Sequence, residues 1–339
     1  MHIKDNIHGL LYFNNMEKNI IFSKTFQRLR NIKQLGLTYL IYPGATHTRY
    51  AHSLGTTYIA TKIAKRLNLD IQLARLKALL HDIGHTAFSH TGEMAIKKYI
   101  GNHEQLGKEK IKEIMDFIDT YSYNEIIESS SNEAKVISGE IGADRMDYLI
   151  RDSKHTGTFH GIIDWKRIVA KLIDIDTIKP SALEDAESLL IARFFMFSSI
   201  IQYNPVRVVS EMLRVAIERA LEDGMDWHML LELSDDEMLR VLKDYPHAAP
   251  IINVLDRGII FPIIGEYTYE PTLDVDEILS KYKHKDVIIS YPFMKQYEFK
   301  VYVDRDKKQI HHYSYLVRSL LEEEKNRKKL LVIEIKPNI

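Results

Sequence analysis

The 339-residue chain has no cysteine. That excludes disulfides and zinc–thiolate sites, and it leaves His, Asp and Glu as the side chains able to hold a metal ion. Net charge is nearly absent as well. Its formal value of −1 at pH 7 gives no global field to attract long nucleic acid. No apolar run approaches the roughly 20 residues needed to span a bilayer, so a membrane is not an expected partner. The opening MHIKDNIHGLLYF has neither the basic start nor the apolar core of a signal peptide. A cytoplasmic enzyme is the resulting expectation. Repeats and low-complexity stretches are missing too. With 45% hydrophobic and 27% charged residues the composition is that of an ordinary globular protein. The length suggests a large domain, 1–225, followed by a smaller one, 226–339.

What the chain does have is histidine, 15 in all, several of them between positions 47 and 103. The stretch LLHDIGHTAFSH, residues 79–90, sets His81 and Asp82 directly after the apolar run Ala78-Leu79-Leu80 and follows them with His85 and His90. Burying unpaired ionisable groups at the end of a core helix is costly, so the pair needs a partner. A neutral imidazole and a carboxylate oxygen suit a divalent cation, without distinguishing Mn, Mg, Fe, Ni or Zn.

The apolar periodicity predicts a mainly α-helical chain. Positions 22, 26, 29, 32 and 35 mark one helical face over residues 20–35, with Lys24, Arg28, Arg30 and Lys33 mostly outside it. That charge reads as a solvated face. In YPGATHTRYAHSLG, residues 42–55, a loop carries His47, Arg49 and His52 before Ser53 opens a helix. Asp70 caps the next helix, 71–82, which delivers His81 and Asp82. Glu93 begins another, which Gly101-Asn102 ends. In residues 139–157, Asp144, Asp147 and Arg151 are spaced to pair along a helix, as are Arg145 and Asp152, and each pair reads as exposed and worth little. Residues 226–265 read as a further helical group. From about residue 286 the period changes to a strand, a hairpin turning at 304–308, a helix over LLEEEKNRKKL and a final strand, which together form a small α+β lobe.

Singly these signals carry little, but their order does more. His52, then His81-Asp82, then Asp144 resembles the H…HD…D signature of the HD superfamily of metal-dependent phosphohydrolases. FQRLRNIKQLG (26–36), YPGATHTRYAHSLG, LLHDIGHTAFSH, HEQ (103–105) and DRMDYLIRD (144–152) recur in this order in one branch, the deoxynucleoside triphosphate triphosphohydrolases. The resemblance covers residues 5–165 strongly, thins to about 220 and is only architectural beyond. It implies an HD-domain helical core and hydrolysis of a nucleoside triphosphate to a nucleoside and triphosphate. It implies a divalent metal ion held by His52, His81, Asp82 and Asp144. It places His90 as the general acid, Glu93 as its orienting carboxylate and His103 as a second active-site histidine. His85, Arg49, Arg145, Tyr148 and Asp152 match positions around the phosphates and sugar, and Gln34 and Leu35 those lining sugar and base. Relatives of this kind are commonly oligomeric, so a homodimer or tetramer is expected.

Two departures are visible. After Ala192-Arg193, the tyrosine and histidine that many relatives carry fall on Ile201 and Tyr203. The tyrosine helps relatives exclude a 2′-hydroxyl, so its loss admits ribonucleotides. Lys4 and Phe22 stand where the human member of the branch binds an activating guanine nucleotide, so that activation is not expected. Other readings are an HD phosphohydrolase cutting elsewhere in the phosphate chain, a nucleotide-sensing protein with weak turnover, and a nuclease. The near-neutral charge weighs against the last.

Overall fold

The apolar stripe beginning at Leu54 folds as a 19-residue helix, Arg49–Leu67. The computed structural model describes residues 1–97, 99, 103–292, 299–304, 306–326 and 328–336. This helix starts four residues earlier than expected because Thr48, not Ser53, opens it: the Thr48 hydroxyl accepts the Ala51 N–H at 3.4 Å. Arg49 and His52 therefore sit on a rigid first turn rather than on a loop. The next helix, Ile71–Leu80, is capped by Asp70, as expected, but stops short of His81-Asp82. A third, Ala143–Thr156, carries DRMDYLIRD. Ile59, Ala60 and Ile63 from the first, Ala78 from the second and Ala143, Met146 and Leu149 from the third share one core. Burying each of the larger of these side chains contributes roughly 1.5–3 kcal/mol.

The expected helix over residues 20–35 is broken. Its place is taken by Asn15–Phe22, Lys24–Gln27 and a 3₁₀ turn, Arg28–Asn31. Ser23 makes the break, since its side chain accepts the Phe26 N–H and offers the backbone an alternative to continuing the first helix. Arg28, expected to face solvent, turns inward and donates to the carbonyls of His85 and Leu233. Before this segment a hairpin pairs His2–Asp5 with Gly9–Tyr12. His90, not Glu93, is the first residue of its helix, His90–Ile96. Gly101 and Asn102, expected to end it, lie outside the described residues.

A second core gathers around the helix Asn204–Glu222. Val208, Val209, Met212 and Ile217 meet Ile251 and Leu255 from Ala249–Asp256, Leu331 and Ile333 from the last strand, and Ile32, Ala87 and Phe88 from the first half of the chain. Residues from both sides of position 225 share it. The C-terminal lobe is mixed, as expected. Its three-stranded antiparallel sheet has Lys329–Glu334 at the centre, flanked by Ile263–Thr268 and Val287–Ser290. Leu330 to Ile333 are fully buried because both faces of the central strand are covered. Ile263 to Gly265, the end of the expected helical group 226–265, instead open the strand Ile263–Thr268. That strand depends on pairing with residues such as Leu330, opposite Tyr267, so local pattern alone could not reveal it. The hairpin turn falls between Val303 and Lys308, and the helix after it runs Tyr315–Asn326. Among the described residues, no helix is long and apolar enough to cross a membrane.

The close approach of Arg49–Leu67 to Ala143–Thr156 requires a glycine at one point. A Cβ on Gly55 would run into Asp147 Oδ1 and Arg151 Nη2. Gly55→Ala is therefore expected to push apart a buried ion pair and cost on the order of 3 kcal/mol or more, read as a lower urea midpoint at unchanged m-value.

Candidate active site

Three helix ends bring four donor side chains to one point. His52 Nε2 lies 3.0 Å from Asp144 Oδ1 and 3.2 Å from His81 Nε2. Asp82 completes the group, its Oδ2 3.8 Å from His52 Nε2 and its Oδ1 3.4 Å from His81 Nε2. His52, His81 and Asp144 converge closely enough to share a divalent cation, Asp82 stands beside them, and two imidazoles with two carboxylates suit such an ion by donor chemistry. Both ring nitrogens are accounted for in each histidine. His81 Nδ1 lies 2.7 Å from the carbonyl of Ala78, and His52 Nδ1 donates to Asp147 Oδ2 at 2.8 Å. With Nδ1 carrying the proton, each Nε2 presents its lone pair to the shared centre.

Asp147 belongs to the site although it was read only as one half of an exposed helical pair. It is fully buried, and so is Arg151. Arg151 donates Nε and Nη2 to the two oxygens of Asp147 at 2.8 and 2.9 Å, and Nη1 to Asp5 at 2.9 Å. His8 Nε2 approaches Asp147 Oδ1 at 2.7 Å. Burial opposes the Asp147 carboxylate, but Arg151 and the hydrogen bonds from His52 and His8 outweigh it and hold its pKa well below the usual carboxylate range. The i,i+4 spacing of Asp147 and Arg151 inside a helix that must be largely buried was the available signal. Asp5 and His8 gave none.

Beside the tetrad stands a second cluster. His85, 1% exposed, lies parallel beneath His103, with ring centroids 4.1 Å apart. Glu93 Oε2 accepts from His103 Nδ1 at 2.9 Å and lies 3.4 Å from His90 Nδ1. His85 Nε2 reaches Asp82 Oδ1 at 3.2 Å, which joins the clusters. Burial, then Arg49, drives the His85 pKa well below its ordinary value, so that ring is neutral. Burial also opposes an imidazolium at His103, but the bond to Glu93 outweighs it and raises the pKa. Glu93 is held below the carboxylate range by the same contacts, against its own burial. His90 is the open member, its side chain 67% exposed.

The remaining expected residues surround these groups. Arg49, buried, donates to Asp82 Oδ2 at 2.7 Å and to Ser89 Oγ at 2.8 Å. Against burial, Arg49 with His81 and His85 keeps Asp82 ionised. The Gln34 N–H donates to the His47 carbonyl, its Oε1 is buried without a hydrogen-bond partner among the described residues, and Leu35 and Tyr148 each pack against the edge of one core. Asp144, Tyr148 and Asp152 recur every fourth residue along one stripe of their helix. Arg145 does not pair with Asp152. It donates to the side chain and carbonyl of Glu140, which Arg193 also approaches at 3.1 Å. Asp152 instead meets His47 Nε2 at 2.7 Å. Farther off, the helix Leu183–Met196 continues into a single π turn, Phe197–Ile201, and Tyr203 is exposed near Tyr42.

Comparison with known proteins agrees with this geometry. Residues 49–152 match the HD domain, and residues 163–261 match the HD associated region. An uncharacterised protein of Methanocaldococcus jannaschii is 39% identical over 94% of this chain and 75% of its own length. The deoxynucleoside triphosphate triphosphohydrolase of Bos taurus is 25% identical over 71% of this chain and 52% of its own length. The chain also spans only 54% to 58% of the Mycoplasma and Bacillus relatives it matches. A crystal structure of a hypothetical protein from Aquifex aeolicus superimposes with a TM-score of 0.82 at 27% identity, covering 98% of this chain and 96% of that one. With the His52, His81-Asp82 and Asp144 motifs in order inside the matched region, the chain belongs to the HD superfamily of phosphohydrolases.

Proposed function

We propose that the protein hydrolyses a nucleoside triphosphate at the α-phosphorus, releasing a nucleoside and triphosphate, with a divalent cation held by His52, His81, Asp82 and Asp144. The observation that carries this reading is the contact between the two clusters: Asp82 faces the metal tetrad on one side and His85 of the proton-bearing cluster on the other. When bound, such a cation lowers the pKa of water and neutralises phosphoryl charge. The side chains do the rest. Glu93 fixes His103 and His90, and His90, open to solvent, delivers the proton to the leaving oxygen. Arg49 supplies fixed positive charge at the floor of the site. Arg145 and Tyr148, beside Asp144, are placed for the anionic oxygens, and burial keeps the Tyr148 phenol neutral as a donor. Asp152, Gln34 and Leu35 take the sugar and base. The name of the bovine relative supports a deoxynucleotide, whereas Ile201 at the sugar position supports admitting ribonucleotides.

Incubation of metal-loaded protein with separate dNTP and NTP pools should yield inorganic triphosphate on ion-pair chromatography, and chelation should abolish it. Monophosphate or diphosphate products instead would sink the reading. Asp147→Asn frees His52 to turn and should weaken metal binding about 10–100-fold, measured by calorimetric titration. The third expectation concerns pH. Proton delivery from His90 requires an imidazolium, and desolvation in the cleft lowers the His90 pKa against the hydrogen bond to Glu93. The rate should therefore fall as pH rises through a value below 6.5. Glu93→Gln removes the anion, so the fall should begin at lower pH in the pH–rate profile.

A further inference from the structure

The histidine cluster stands on backbone that is unfavourable by itself. Phe88 and Ser89, the two residues before His90, have φ of +62° and +55°. Such conformations cost roughly 1–3 kcal/mol each in residues other than glycine, and they persist only where surrounding contacts over-determine them. The contacts come from far along the chain. Asp235, fully buried, is the first residue of the helix Asp235–Leu242. Its Oδ1 accepts the Phe88 N–H at 2.7 Å and its Oδ2 accepts the Lys33 N–H at 2.8 Å. The carbonyl of the same Lys33 accepts from Ser89 Oγ at 2.8 Å, and that oxygen also receives Arg49 Nε. The neighbouring carbonyl of Leu230 takes the Ala87 N–H at 2.8 Å.

We infer that Asp235 is a positioning residue for the catalytic histidines: it clamps the left-handed turn Phe88-Ser89 to the Lys33 segment and so fixes His90 relative to the metal tetrad. An aspartate suits the place because two N–H groups arrive from different segments and need two acceptor oxygens. Asparagine would turn a donor toward one of them. The start of a helix favours the negative charge, and the double acceptance satisfies both oxygens of a fully buried carboxylate. Asp236, one residue on, is a natural control. Its side chain is 69% exposed and, among the described residues, pairs with Lys33 Nζ at 3.1 Å.

Three measurements test this, and only the kinetic one rests on the proposed hydrolysis. In the wild-type protein, the Phe88 and Lys33 amides should exchange with solvent as slowly as core amides. Exchange at open-loop rates overturns the inference without any variant. In D235N, the imidazole resonances of His90 and His103 should move while metal content per chain stays at the wild-type level. D236N should leave both unchanged. On whichever nucleotide the wild type cleaves, D235N should lower kcat by about 100-fold, as expected for an ångström-scale misplacement, with KM unchanged. Resonances and kcat that match the wild type overturn the inference. So does a loss in which kcat, KM and metal content decline together. A wild-type protein that cleaves no nucleotide removes the proposed function alone, and the exchange and resonance measurements still decide the role of Asp235.

Discussion

The buried carboxylate of Asp147 is the point on which the site depends. It accepts hydrogen bonds from His8, His52 and Arg151 in a place without solvent. A carboxylate there is affordable only because Arg151 shares the burial, and Arg151 in turn needs Asp5. The network is thus closed, with each charge accounted for by the next. Its outcome is one oriented lone pair, that of His52 Nε2. The tautomer of a metal-facing histidine is set by what the other nitrogen touches, and here that contact is buried and fixed from three sides.

The same economy appears in the neighbouring cluster. His85 and Glu93 each join two groups: His85 reaches Asp82 and stacks on His103, while Glu93 ties His103 to His90. The metal tetrad and the proton-bearing histidines therefore share a frame. The glycines fit this picture. A Cβ on Gly84 would run into the backbone of His103 and Gly107, so bare backbone lets the His81–Ser89 segment touch the helix His103–Lys112.

The side chains that converge at the candidate site were legible in the sequence, and most of those that hold them were not. His81-Asp82 stand out because ionisable groups end an apolar helix, whereas His52 and Asp144 stand out only through the order of motifs that resembles the HD signature. Arg28 and Arg151 looked like ordinary surface charge, since helical spacing shows which residues share a face but not which face another element covers. Thr48 was not distinguished as the cap because Ser53 has the same chemistry five residues later. The strand Ile263–Thr268 and the clamp at Asp235 were invisible for another reason: their partners lie far away in sequence, 147 residues in the case of Phe88 and Asp235. Local pattern carries no record of such pairings.

The spread of the metal-facing residues along the chain also has a consequence for how the protein comes into being. His52 and Asp144 are 92 residues apart, and His8 meets Asp147 across 139. During synthesis, His52, His81 and Asp82 all leave the ribosome while the helix Ala143–Thr156 does not yet exist. Until that helix docks, His52 has neither its orienting carboxylate nor its fourth companion. The orientation of the His52 ring is in this way tied to completion of the first half of the fold.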